Sequence, residues 1–150
     1  MRIFVDTNVM LDVIQKRQQF FQNSLNVLVA CRELIVEGVI SPQSVPDIFY
    51  ILRKDFSESE RRKILLDICQ FMSIETVDEE KIILALKNND FVDLEDCLQA
   101  ECAVTVGANY IVTRNIKHFT HSPIPAVTPE DFCKNILPAP TQEGEENELL

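Results

Sequence analysis

The chain has 150 residues, 14 Lys plus Arg against 24 Asp plus Glu, a formal net charge of -10 and 46% hydrophobic residues, enough to bury the core of one compact domain. With 3 Gly, 7 Pro and no long biased tract, the composition is neither disordered, collagen-like nor fibrous. The longest apolar stretch, Leu25 to Ile40, is broken by Arg32, Glu33 and Glu37, too many charges for a bilayer span of roughly 20 apolar residues.

Arg2 to Val5 reads as a buried strand, because Ile3-Phe4-Val5 is a continuous apolar run. Asp6, Thr7 and Asn8 follow it directly, and Val9, Leu11, Val13 and Ile14 suggest a short helix. A longer helix is expected from Asn23-Ser24, ended by Gly38 as its C′ glycine. Val39 to Ser41 reads as a second strand, and Ser44 to Lys54 as a helix with Val45, Ile48, Phe49 and Leu52 on one face. Ser57-Glu58-Ser59-Glu60 has the capping-box form and opens another helix, followed by a third strand at Phe71 to Ile74. Asp78 and Asp93 each begin a helix; Tyr110 to Val112 and Pro125 to Val127 are the fourth and fifth strands; Thr128-Pro129 starts a last helix.

Strands alternating with helices imply an α/β/α sandwich, a mostly parallel five-stranded sheet with helices on both faces, over residues 1–137. The remainder, Pro138 to Leu150, holds four Glu and no Lys or Arg, and its composition predicts a disordered acidic tail. Without those four glutamates the body carries -6 rather than -10. The start Met1 to Asp6 is too short for a signal h-region, so the expectation is a cytoplasmic protein. Cys31, Cys69, Cys97, Cys102 and Cys133 include no C-x-x-C pair and are expected to be reduced thiols, with neither disulfides nor zinc.

In a parallel sheet, the loops leaving the carboxyl ends of the strands gather on one edge, where ligands bind. Four oxygen-bearing residues fall there: Asp6 after the first strand, Asp47 early in the helix after the second, Asp96 early in the helix before the fourth, and Asn115 after the fourth. Each has an ordinary structural reading as well: a cap for Asp6, a solvated helix position for Asp47, a dipole-favoured first turn for Asp96, a turn for Asn115. Their agreement on one rim carries the functional reading. Three carboxylates together would repel one another unless a cation sat among them, and an all-oxygen donor set selects magnesium or manganese. A water polarised by such an ion can attack a phosphodiester.

The segments Val5-Asp6-Thr7-Asn8-Val9, Asp47-Ile48-Phe49-Tyr50, Leu94-Glu95-Asp96-Cys97-Leu98-Gln99-Ala100 and Tyr110-Ile111-Val112-Thr113-Arg114-Asn115, in that order and spacing, resemble the PIN-domain nucleases, which include the VapC-type toxins of bacterial toxin–antitoxin pairs. The resemblance spans roughly residues 1–137. It implies a metal-dependent ribonuclease in which Asp6, Asp47 and Asp96 match the first three acidic positions and hold Mg2+ or Mn2+, an antitoxin protein as a partner, and a homodimer. Two positions depart from the family pattern. Asp47 stands where Glu is frequent, which shortens the reach by one methylene. Asn115 stands where Asp is frequent, which keeps an oxygen ligand but removes a charge.

Asp93, one turn before Asp96 and about 60° round the helix, is expected to support the site, as are Thr7 and Asn8 beside Asp6. Net acidity argues against bulk electrostatic binding of nucleic acid, so phosphate contacts must come from local cations: Arg53, Lys54, Arg114 and Lys117. Lys54 follows Asp47 by two helical turns and is expected on nearly the same face. Arg61, Arg62 and Lys63 read as a solvated helix face, and Phe20, Phe21, Phe56 and Phe71 are candidates for apolar contacts between copies. A phosphatase of the haloacid-dehalogenase type needs a second Asp where Asn8 stands, and no receiver-type acid pair, G-x-x-x-x-G-K, H-E-x-x-H or G-x-S-x-G motif is present. The rival to a nuclease is a PIN-like domain weakened in catalysis, serving as an RNA-binding or protein-interaction module.

Overall fold

The computed structural model describes residues 1–138; the acidic tail expected from Pro138 onward lies outside the described residues except for Pro138 itself. Five strands, β1 (Arg2–Val5), β2 (Glu37–Ile40), β3 (Met72–Ile74), β4 (Tyr110–Val112) and β5 (Ala126–Val127), form one sheet in the order β3-β2-β1-β4-β5. Every neighbouring pair is parallel. Between and after the strands run α1 (Thr7–Ile14), α2 (Phe21–Arg32), α3 (Ser44–Ile51), α4 (Glu58–Cys69), α5 (Glu79–Lys87), α6 (Leu94–Thr105) and α7 (Pro129–Asn135).

Strand periodicity makes the three layers. Ile3, Val5, Ile40 and Val112 point into a core shared with α1, α2, α4 and Phe132 of α7, whereas Phe4, Val39 and Ile111 point into a second core with Ala100, Cys102 and Ala103 of α6. Side chains of a strand alternate between faces, so a central strand with apolar residues throughout needs cover on both. The sheet is therefore an α/β/α sandwich with β1 at its centre.

Local signals set several of the helix starts. Ser57 accepts from Glu60 N while Glu60 reaches back to Ser57 N at 2.7 Å, a complete capping box. Asp78 caps α5 by accepting from Lys81 N, and Thr128 caps α7 with Pro129 in the first turn. Two expectations change. The second helix begins at Phe21 and ends at Arg32, with Leu34 taking a left-handed φ of 57° to turn the chain. Gly38 is thus no helix cap: it lies inside β2, where a Cβ would come within 2.5 Å of Met72 Sδ and 2.7 Å of Cys31 Sγ. The glycine is there for close packing, not for its φ.

Helix α5 inverts the usual pattern. Lys81 and Ala85 face inward, with Lys81 Nζ bound to Glu75 Oε1 at 3.1 Å and to the Thr76 carbonyl, while Ile82, Ile83, Leu84 and Leu86 face solvent. No helix among the described residues is long and apolar enough to cross a membrane.

Candidate active site at the carboxyl edge of the sheet

Asp6 leaves β1 with its N–H donating to the Val112 carbonyl at 3.0 Å, which locks the end of β1 to β4. It precedes α1 yet makes no side-chain cap. Instead its Oδ2 accepts from Asn8 Nδ2 and from Thr113 Oγ1, both at 2.8 Å, and the residue is 6% exposed. The carboxylate is held in place by neutral donors, not neutralised by a cation. Thr113 Oγ1 also accepts from Asn115 N at 3.0 Å, so one hydroxyl joins Asp6 to the loop carrying Asn115. Asn8 is drawn into the same set, its Oδ1 3.4 Å from Arg114 N. Thr7 turns elsewhere: its hydroxyl meets Ser44 Oγ at 2.8 Å and ties α1 to the start of α3, the helix that carries Asp47.

Asp47 lies in the first turn of α3, half-buried, with Oδ1 accepting from Gln43 Nε2 at 2.9 Å. Asp93 caps α6, its Oδ1 accepting from Glu95 N at 2.8 Å and Asp96 N at 3.1 Å, and so fixes the turn that presents Asp96. Asp96 Oδ2 stands 3.0 Å from His118 Nδ1. Burial and the neighbouring Asp93 raise the Asp96 carboxyl above its ordinary pKa, opposed by His118. Glu95 is pushed further, to about 7, by burial first and then by the charges of Asp47, Asp93, Asp6 and Asp96. Asp6, Asp47, Asp93 and Asp96, from three separate parts of the chain, thus each act on Glu95.

The four cations expected at phosphate sit differently. The Arg114 guanidinium is 4.2 Å from the Phe20 ring centre, and its Nε is 3.0 Å from Asp12 Oδ2 without an aligned hydrogen bond, which makes a charge pair. Asp12 is fully buried and also takes Ser24 Oγ at 3.0 Å and Arg17 Nη1 at 3.4 Å. Arg114 therefore braces the Asn115 loop against α1. Arg53 stacks on Tyr50, 3.7 Å from its ring centre. Helix α3 stops at Ile51 and Leu52–Lys54 form a 3-10 turn, so Lys54 does not follow the α-helical arithmetic that set it over Asp47. Lys54 and Lys117 are exposed. Phe21, Phe56 and Phe71 pack against the core, and Phe20 lies under Arg114.

Sequence reasoning passed over Glu95, Thr113, Asp12 and His118. One signal was available for Asp12: a single acid within Val9-Met10-Leu11-Asp12-Val13-Ile14 must be buried, and a buried carboxylate needs a cation or donors.

As the side chains stand, no three of His, Cys, Asp and Glu among the described residues are close enough together to hold a metal ion. The donors nonetheless fit a hard cation by type. Asp6 and Asp47 each leave one carboxylate oxygen without a protein hydrogen bond, and the Asp96 carboxylate meets the protein only at Oδ2, in its contact with His118. One turn below Asp96, Gln99 is 2% exposed and its buried Oε1 has no partner, an acceptor that a water or ligand would satisfy.

Residues 2–117 match the family model described as PIN domain. No curated protein is similar enough to count as a match. Among solved structures, the fold is similar to VapBC2 of Rickettsia felis bound to a promoter DNA fragment, with a TM-score of 0.63 and 18% identity over 85% of this chain and 98% of that one. It is also similar to a toxin–antitoxin complex from Klebsiella pneumoniae, with a TM-score of 0.64 and 21% identity over 85% and 97%, and to VapBC-1 of nontypeable Haemophilus influenzae, with 0.63 and 14% over 87% and 99%. The family model spans most of the described sandwich, from β1 to the turn after β4, and the chain belongs to the PIN domain family.

Proposed function

We propose that this PIN domain is a Mg2+- or Mn2+-dependent endoribonuclease. The observation that carries the reading is the gathering of acids around Glu95, which is raised to about 7 by burial first and then by the charges of Asp47, Asp93, Asp6 and Asp96. Such an excess of negative charge at a ligand-binding edge is stabilised by a divalent ion and by little else a cell supplies. Asp6, Asp47 and Asp96 would hold the ion, directly or through water. When bound, it supplies polarisation of a water and compensation of phosphate charge.

The protein residues have separate tasks. Asn8 and Thr113 keep Asp6 in one orientation, and Asp93 keeps the first turn of α6 in register. Asn115 would orient the attacking water through its amide. Lys54, Arg53 and Lys117 would meet phosphates flanking the scissile bond, while Arg114 steadies the Asn115 loop. Hydrolysis adds water to phosphorus and breaks one P–O ester bond, giving a phosphomonoester and a hydroxyl. Because few cations serve the rim of an acidic chain, RNA affinity should be modest and steeply salt-dependent.

The likeness to toxin–antitoxin complexes supports a toxin role and an antitoxin protein as partner. The exposed aliphatics of α5 support a homodimer, since a row of large apolar side chains on a helix surface marks an interface. Asn115 favours a second reading, a catalytically weakened module that binds RNA or protein. Purified protein incubated with single-stranded RNA in Mg2+ or Mn2+ separates the two: cleavage abolished by chelator and by Asp6→Asn supports the nuclease, and intact RNA in both metals overturns it.

A further inference from the structure

The three rim carboxylates share a pattern. Each has one oxygen engaged by the protein and one left without a protein hydrogen bond: Asp6 through Asn8 and Thr113, Asp47 through Gln43, Asp96 through His118. A carboxylate fixed through one oxygen presents the other in a defined direction, which is how residues around a metal site orient its ligands. His118 differs from the other anchors. It comes from a different element, reaching from the 3-10 turn Ile116–Phe119 after β4 to the first turn of α6.

That turn is built to hold still. His118 N donates to the Asn115 carbonyl at 2.9 Å, and the next residue, Phe119, is 2% exposed within the core formed by α6 and the sheet. The imidazole is thus mounted between Asn115 and a buried aromatic anchor, with Nδ1 at 3.0 Å from Asp96 Oδ2 and the side chain 56% exposed against 16% for Asp96. A casual surface pair would involve two mobile side chains; here the carboxylate is mostly buried and the turn beneath the ring is anchored by the buried Phe119.

We infer that His118 is a positioning residue for Asp96: it steadies the carboxylate at Oδ2, so that the other oxygen would be free for a cation that Asp6, Asp47 and Asp96 would hold. The inference rests on the proposed cation site and adds to it a fourth element, the turn after β4, through which the Asn115 loop and α6 are set against each other. Residues in this role change metal affinity by roughly 10- to 100-fold when removed.

The test is Mn2+ binding by titration calorimetry and by loss of the free-ion EPR signal, at pH 8, on wild type, His118→Ala, His118→Asn and Asp6→Asn. His118→Asn keeps an N–H donor at about the place of Nδ1. The expected result is weakening by about 10-fold or more for His118→Ala with an unchanged melting temperature in chelator, and recovery to within about 3-fold of wild type for His118→Asn. Equal affinity of His118→Ala and wild type, or an asparagine variant as weak as the alanine one, overturns this inference alone. Absence of Mn2+ binding by wild type removes the cation site and this inference with it, and Asp6→Asn distinguishes the cases by losing binding only where the site exists.

Discussion

Thr113 Oγ1 donates to Asp6 Oδ2 at 2.8 Å across 107 residues of sequence, and the same oxygen accepts the N–H of Asn115 at 3.0 Å. One buried hydroxyl therefore sets both the orientation of the central carboxylate and the position of the fourth rim residue. Thr113→Val keeps the shape and removes the hydroxyl. Stability should fall by about 1–3 kcal/mol, since Asp6 keeps Asn8 as a donor while the hydroxyl's bond to Asp6 and the one it accepts from Asn115 N are both lost. RNA cleavage should fall by roughly 10- to 100-fold, a larger effect than the stability loss explains. Urea denaturation beside the cleavage rate checks the pair, and unchanged cleavage would show that Asp6 needs no anchor from β4.

Glu95 makes stability depend on pH. Its folded pKa of about 7 lies above the ordinary glutamate value, so between about 4.5 and 7 the unfolded chain releases a proton that the folded chain keeps. Its contribution to stability is full below that window and is lost as pH rises through 7. In chelator, Glu95→Gln should abolish this loss and leave the variant more stable than wild type at pH 8 but not at pH 4.5. Millimolar Mg2+ should raise the melting temperature of wild type at pH 8 more than at pH 5, because the ion replaces the proton. Parallel curves for the two proteins in thermal scans across pH would count against the charge cluster.

The sheet was legible because continuous apolar runs such as Ile3-Phe4-Val5 can be covered only on both faces, and the candidate site could be proposed because Asp6, Asp47, Asp96 and Asn115 follow strand ends or open helices. Glu95 was hidden by a true but incomplete reason: acids are favoured in a first helical turn whatever they face. His118 and Thr113 were hidden because their partners, Asp96 and Asp6, are distant in sequence and nothing local marks the pairing. Gly38 misled because glycine ends helices and also admits close packing, and only Met72 and Cys31 above it decide between these. Arg114 reads as a phosphate ligand from its place beside Asn115, and its pairing with the buried charge of Asp12 was not visible because Asp12 lies 102 residues earlier in the chain.

Asp12 is a buried carboxylate shared by Arg17, Arg114 and Ser24. Asp12→Asn removes the charge and leaves two guanidinium groups without their counter-ion. Breaking a buried pair typically costs about 3–5 kcal/mol. Because both arginines retain part of their hydration, the expected cost is nearer 2–3 kcal/mol. Since Arg114 braces the Asn115 loop, amide exchange should quicken at Asn115 and Ile116 more than in β3. Uniform quickening across the domain would mean that Asp12 supports only global stability.

Leu86 is 63% exposed on α5, beside Ile82 and Ile83. Placing a charge there alters no core contact, so Leu86→Glu should leave the melting temperature within about 2 °C of a monomeric reference. If α5 forms the homodimer face, sedimentation at tens of micromolar should show wild type as a dimer and Leu86→Glu as a monomer, because an unpaired carboxylate buried at an apolar interface costs several kcal/mol. A wild type that sediments as a monomer throughout removes the dimer.

Charge at the rim decides catalysis. Asp6→Asn is nearly isosteric, and its amide still accepts from Thr113 or Asn8, so the fold should persist. It removes one of the negative charges that would hold the cation and face the developing transition state. Preorganised electrostatic terms of this kind are worth at least about 100-fold in rate, and cleavage of single-stranded RNA should drop at least that far. Asn115→Asp works in the opposite sense: it adds a carboxylate at the exposed end of the Thr113 loop without disturbing a packed contact, so Mn2+ affinity should rise and the rate should stay level or increase. The same charge also raises repulsion in the absence of metal, so Asn115→Asp should be less stable than wild type in chelator at pH 8 and regain that stability in Mn2+. Cleavage rates, calorimetric Mn2+ affinities and melting temperatures with and without metal give three separate readings. If Asp6→Asn cuts as fast as wild type, the rim carboxylates are not catalytic; if Asn115→Asp binds Mn2+ no more tightly, the loop after β4 contributes no ligand.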